Sequence, residues 1–191
     1  MGNFTVKGDM ESLCLGILSH LKGAMDTIDV EHWKDTPSRM AKHYEAMFWG
    51  AAHDPRDVLK TFEETEADQI ILVEGIEYVS WCSHHLLPFM GTVDFAYIPD
   101  GRIVGLSKIP RMVQILAARP QVQERLTQQI AGAFQEVVKH KGVAVLMKGA
   151  HTCMMARGVE QRAARMKTSV MLGAFRDKEA ARNEFFSMVS K

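Results

Sequence analysis

No apolar run in this 191-residue chain approaches the roughly 20 residues that a helix needs to cross a bilayer. An excess of charge of one sign is also missing. Lys+Arg and Asp+Glu are 23 each, which removes the basic balance expected of a general nucleic-acid binder. Cysteine is scarce: three residues, an odd number in a chain long enough to bury its own core, do not make a disulfide framework. The opening MGNFTVKGDMESL has neither the charged start nor the apolar centre of a secretory signal, so a cytoplasmic location is expected. There is no internal repeat, no low-complexity tract and no linker rich in Pro, Gly or Ser. The glycine-rich phosphate loop of a P-loop or Rossmann nucleotide site is absent as well. What remains is an ordinary globular balance, 47% hydrophobic and 24% charged residues, which rules out a disordered or fibrous protein.

Residues 1–66 read as an N-terminal helical region. Met10, Leu13, Cys14, Ile17, Leu18 and Leu21 recur at three- and four-residue spacing, the stripe of a helix ending near Gly23. Asp35-Thr36-Pro37 announces a second helix, with Thr36 as cap, Pro37 in the first turn and Met40, Tyr44, Met47 and Phe48 as its apolar face. Arg39 and Lys42 lie three apart and point the same way. From residue 67 to 191 the chain reads as one unit in which the period changes. Ile70–Ser80 and Gly91–Pro99 are strands, and Val143–Met147 and Met166–Phe175 form a second pair. Helices are expected over Lys108–Ala118, after Pro120 with Val122, Leu126, Ile130, Phe134, Val137 and Val138 buried, and over Lys178–Val189. Short connections make the strand pairs antiparallel, and the class is α+β.

Chemistry gathers at two strand ends. Ser80-Trp81-Cys82-Ser83-His84-His85 contains Cys82-x-x-His85, a spacing that lets a thiolate and an imidazole converge on one ion. Taken alone this is weak, because a Cys and two His near a strand end are more often incidental than ligating. His151-Thr152-Cys153 supplies one more thiolate and one more imidazole. Cys14, on the apolar face of the first helix, reads as a small buried hydrophobe. Cys82, His85 and Cys153 then make three ligands with an open position, the catalytic arrangement. His84 and His151 are left for proton transfer, or simply fill polar pockets. Ser107 and Lys108 open a helix whose N–H groups favour phosphate, with Arg111 a turn on and Arg157 after the second cluster. Together with Arg39 and Lys42 these cations suit a polyphosphate, although any single one reads equally as a solvated charge. Gln123 and Glu124 open the long helix, either as dipole complements or as readers of a heterocycle edge.

An ordered series of segments resembles the GTP cyclohydrolase I family over about residues 35–188. The segments are Asp35-Thr36-Pro37-Ser38-Arg39, Cys82-x-His84-His85, Gly105-Leu106-Ser107-Lys108, the block Arg119-Pro120-Gln121-Val122-Gln123-Glu124-Arg125-Leu126-Thr127, His151-x-Cys153-Met154, Arg157-Gly158-Val159, and Thr168-Ser169 through Gly173-Ala174-Phe175. The resemblance implies a tunnelling fold in region 67–191, assembled into a toroidal homo-oligomer, a decamer of two stacked five-membered rings. It implies conversion of GTP and water to formate and 7,8-dihydroneopterin triphosphate, a precursor of folates, biopterin and deazaguanine bases. By position it puts one Zn2+ per subunit on Cys82, His85 and Cys153, and proton transfer on His84 and His151. Guanine anchoring falls on Glu124 with Gln123 beside it, and triphosphate contacts fall on Ser107, Lys108, Arg111, Arg157, Arg39 and Lys42. Sites are shared between subunits, one supplying the metal and another the guanine-binding carboxylate. Ser83 stands where the family pattern has Glu; it can hydrogen-bond but brings no charge. Two other readings compete: a tunnelling-fold relative such as a pterin synthase or nitrile reductase, and a non-enzymatic zinc-stabilised assembly protein. The Cys-His-Cys triad argues against the former.

Overall fold

The structure, a computed structural model, describes residues 9–21, 23, 26, 27 and 29–189. The reading of the first eight residues for a secretion signal, and the last two residues of the 67–191 span, fall outside these. The chain divides into two units, Met1–Trp49 and Gly50–Lys191. Among the described residues no helix is long and apolar enough to cross a membrane.

In the first unit α1 (Met10–His20) packs on α3 (Thr36–Met47), with the short α2 (Val30–Trp33) between them in sequence. Asp9 caps α1, its carboxylate accepting from the Ser12 N–H at 2.8 Å. Only Cys14 and Leu18 of the expected stripe are buried; Leu13, Ile17 and Leu21 are exposed. At α3 the capping position belongs to Asp35 rather than Thr36. The Thr36 hydroxyl accepts from Arg39 Nη2 at 2.9 Å, so it is occupied by a side chain instead of the helix N–H groups.

The second unit is built on a five-stranded sheet in the order β5-β2-β3-β6-β7. Its strands are β2 (Ile71–Cys82), β3 (Pro88–Pro99), β5 (Pro120–Gln121), β6 (His140–His151) and β7 (Met166–Gly173). The four long strands pair antiparallel, as expected. β5 is an exception: its two residues lie parallel to Trp81 and Cys82, brought there by the α4 crossover (Lys108–Ala117). A second departure is β1 (Thr61–Glu63), inside the span read as helical, which pairs with β4 (Arg102–Val104). Thr61 and Phe62 are β-formers, and Arg102 Nε donates to Thr61 Oγ1 at 3.0 Å across the pair.

One sheet face carries Val93, Phe95 and Tyr97 of β3 and Val143, Val145 and Met147 of β6. It is covered by Ile109, Met112, Val113 and Leu116 of α4 and by Leu126, Ile130 and Phe134 of α5 (Gln123–Val137). The other face packs Ala96, Ala144 and Leu146 against Phe175 of α7 (Ala174–Asp177) and Phe185 and Val189 of α8 (Glu179–Val189). Alternation along β3 and β6 assigns successive residues to these two cores. The result is a rigid sheet whose centre is buried on both sides, with its chemistry at one end. Val137, expected in the α5 stripe, is exposed near the helix end.

Candidate functional site

β2 ends at Cys82, and residues 83–87 turn the chain into β3. The turn is held by Cys82 N–H to the Leu87 carbonyl at 2.9 Å, and by Leu86 and His85 N–H groups donating to the Cys82 carbonyl at 2.8 and 3.2 Å. Leu86 closes it in the left-handed region, φ 52°, a conformation that costs a leucine of order 1 kcal/mol and that three hydrogen bonds impose. β5 clamps the outer side, where the Ser83 N–H reaches the Gln121 carbonyl at 2.9 Å. The end of β6 lies across β3, with His151 opposite Phe89. The next residues form one turn of helix, α6 (Thr152–Met155), pinned by the Thr152 hydroxyl donating to the Pro88 carbonyl at 2.6 Å.

This arrangement brings the ligating atoms of Cys82, His85 and Cys153 within 4.8 Å of one another. His85 turns Nδ1 toward Cys82 Sγ at 3.9 Å, and His84 Nδ1 approaches the same sulfur at 3.8 Å. Burial holds the Cys153 thiol above its ordinary value, reinforced by a hydrogen bond and charge interaction with Cys82 and partly opposed by Arg157. Two soft thiols crowded against an imidazole fit a thiophilic divalent cation, which would relieve that crowding. Arg157 Nη1 donates to His85 Nε2 at 2.8 Å, so the neutral ring carries its proton on Nδ1, facing the sulfurs.

His151 lies flat on Phe89, ring centroids 4.7 Å apart and 3° from parallel. Burial lowers its pKa, and the nearby charge of Glu124 offsets part of the shift. Its Nε2 is 2.9 Å from Gln123 Oε1. Gln123 and Glu124 therefore belong to the same corner as His151 in a single chain. Chain connectivity is the reason: only Val122 separates β5, itself paired to Cys82, from the start of α5, so each chain's own Gln123 and Glu124 begin beside its own His151.

The cations behave differently. Arg157 is at the trio. Ser107, Lys108 and Arg111 are not, and one chain does not converge them with it. The Val104 N–H bonds the Tyr97 hydroxyl at 3.0 Å, and Tyr97 pairs with Ile71 at the start of β2. Ser107 and Lys108 follow at that end, while α4 rises about 15 Å toward β5 and Cys82. Arg39 and Lys42 sit on α3 in the first unit, Arg39 donating to Thr36 and to the His32 carbonyl at 3.2 Å. Ser83 is exposed. Phe89, Thr127 and Thr168 were given no role from sequence; polar threonines at core-facing positions of α5 and β7 are the one signal that singles out the latter two.

Two thiols and an imidazole at a sheet end, flanked by two further histidines, could hold one metal ion, and three protein donors leave a coordination position open. The family follows from comparison with known proteins. Residues 16–190 match the family model described as GTP cyclohydrolase I. The chain is 44% identical over 183 residues to GTP cyclohydrolase 1 of Thermoanaerobacter pseudethanolicus, covering 95% of this chain and 97% of that one. It is 45% identical over 179 residues to GTP cyclohydrolase 1 of Chlorobaculum tepidum, covering 93% and 80%. With GTP cyclohydrolase 1 of Alkalilimnicola ehrlichii it shares 47% over 162 residues, covering 84% and 88%. The chain belongs to the GTP cyclohydrolase I family.

Proposed function

We propose that this chain is a zinc-dependent GTP cyclohydrolase I, releasing C8 of GTP as formate and giving 7,8-dihydroneopterin triphosphate. The observation that carries the reading is the Cys82, His85 and Cys153 trio sharing one corner with His151 and Glu124 in a member of that family. Cys82, His85 and Cys153 would hold zinc, which would supply a Lewis acid and an activated water. Glu124 accepts from the guanine N1–H and exocyclic amine and fixes the ring. Water adds to C8, and the C8–N9 bond opens to a formamide. A second water cleaves that to formate, and the ribose carbons rearrange and close onto the freed amine with loss of one water. His151 exchanges the proton at N7, and His84 serves the opened ring. Arg157 meets the triphosphate.

Ser107, Lys108 and Arg111 lie at the other end of the sheet, so in this reading a neighbouring subunit brings them to the triphosphate, joined by Arg39 and Lys42. The sheet supports such an assembly. β7 is an edge, and β2 is paired on its outer side by β5 only at Trp81 and Cys82. Two open edges suit strand pairing between copies into a toroidal tunnelling fold, a decamer by family pattern, in the cytoplasm. Zinc-loaded protein incubated with GTP should yield a fluorescent pterin and one formate per GTP consumed. Stoichiometric zinc with no product would sink the enzyme reading and leave a zinc-stabilised assembly.

A further inference from the structure

Gln123 is the first residue of α5 and only 1% exposed, so its side chain enters the sheet end instead of solvent. The amide nitrogen donates to Thr168 Oγ1 at 3.1 Å and to the Met166 carbonyl at 3.3 Å, with the Met147 carbonyl at 3.5 Å. Those acceptors, spread over β6 and β7, decide which end of the amide is which: reversed, Oε1 would face two carbonyl oxygens. The proton count agrees. The Thr127 hydroxyl donates to the Gln123 carbonyl at 2.7 Å, so the 2.6 Å contact between Thr127 and Thr168 is donated by Thr168. Thr168 then has a lone pair for the Gln123 amide. Gly149 leaves the space this needs, since a Cβ there would stand 2.2 Å from Gln123 Oε1.

Oε1 can only accept, and it faces His151 Nε2 at 2.9 Å. That nitrogen must carry the proton, while stacking on Phe89 fixes the plane of the ring. We propose that Gln123 is a positioning residue that holds His151 as its Nε2–H tautomer, leaving Nδ1 as the nitrogen that exchanges a proton with substrate. The inference rests on the reading of His151 as the proton-transfer group. It takes Gln123 away from direct contact with the guanine ring, because both ends of its amide are occupied inside the protein. Holding the wrong tautomer removes a general acid–base group as surely as deleting it.

The test is a nitrogen NMR spectrum of zinc-loaded protein labelled with 15N-histidine, His151 being assigned by its loss in His151→Asn. The wild type should show a protonated Nε2 and a bare Nδ1. Gln123→Met should mix the tautomers and lower kcat about 10²-fold with KM for GTP changed less than about threefold. Gln123→Glu keeps an acceptor toward His151 Nε2 and, as the protonated acid, one donor toward the Met166 carbonyl and Thr168, so it should hold the tautomer and recover part of kcat. Gly149→Ala pushes the amide off His151 without altering Gln123 and should reproduce the Gln123→Met spectrum, which keeps the test open if that variant fails to fold. A wild-type His151 protonated on Nδ1, or a Gln123→Met protein with raised KM, unchanged kcat and unchanged tautomer, overturns the proposal. The spectrum reads the tautomer even if the protein does not turn over GTP, so failure of the enzyme reading stays distinct.

Discussion

Cys153 has its thiol held protonated by burial and by Cys82 beside it, yet a metal takes the thiolate. Uptake of zinc therefore expels that proton, and through Cys153 alone affinity should rise about tenfold per pH unit below the thiol's pKa. Titrations against a chromophoric chelator between about pH 6 and 8 measure this slope. Cys153→Ala should lose one proton from it and no longer retain one zinc per chain after dialysis. Arg157 is coupled to the same event. A cation taken at His85 Nδ1 leaves Nε2 as an N–H, which cannot accept from Arg157 and releases the guanidinium. Arg157→Ala should raise zinc affinity by about 3- to 10-fold while weakening GTP binding, a split read by the same chelator assay and by fluorescence titration. Two other imidazoles set the acid limit. His140 and His151 both have their pKa lowered by burial, and His140 Nδ1 is buried without a hydrogen-bond partner. Unfolded, they take up protons near about pH 6.5; folded, they resist until lower pH. Stability is thus fully present above that value and falls as pH drops through it. The thermal midpoint should decline on acidification, less steeply in His140→Leu.

Among the elements, β2 and β3 depend on one buried acid. Asp94 accepts the Gly75 N–H at 2.9 Å, where the register shifts between Val73 and Ile76 and Gly75 adopts φ 66°. Lys148 Nζ lies 3.0 Å from the other carboxylate oxygen, an ionic contact without hydrogen-bond geometry. Asp94→Ala leaves the bulge N–H and the lysine uncompensated and should cost about 2–4 kcal/mol in denaturant unfolding, with zinc content unchanged. The long strands, α4, α5 and α8 were legible because each buries a face whose period is written in its own residues. β1, β4 and β5 were not: two or three residues become strands only through partners far along the chain. α1 misled for a related reason. It is apolar on several faces, and the stripe read from spacing includes Leu13, Ile17 and Leu21, which are exposed. At the site, the trio was legible from Cys82-x-x-His85 and a second Cys-His cluster. The place of Gln123 was not, because the direction of its amide is decided by carbonyls on β6 and β7.

For the whole molecule, the separation of Lys108 from Cys82 in one chain predicts how activity is distributed among subunits. Inactive Cys153→Ala chains mixed with inactive Lys108→Ala chains, under conditions allowing exchange, should recover about a quarter of wild-type turnover at equal proportions, because some interfaces then pair an intact metal corner with an intact phosphate helix. Cys153→Ala mixed with Glu124→Ala gives a sharper contrast. In the proposed arrangement those two residues serve one corner of one chain, neither mutant chain carries both, and no mixed assembly should regain a complete corner. The trio has a mechanical side as well. Cys82 and His85 end one strand, Cys153 follows another, and about 70 residues separate them along the chain. An ion held between them fastens that whole span into a loop, as a removable crosslink would. Stripping it should therefore shorten the working life of the protein: a chelator should lower the midpoint of heat inactivation, and zinc added before the sheet comes apart should restore it.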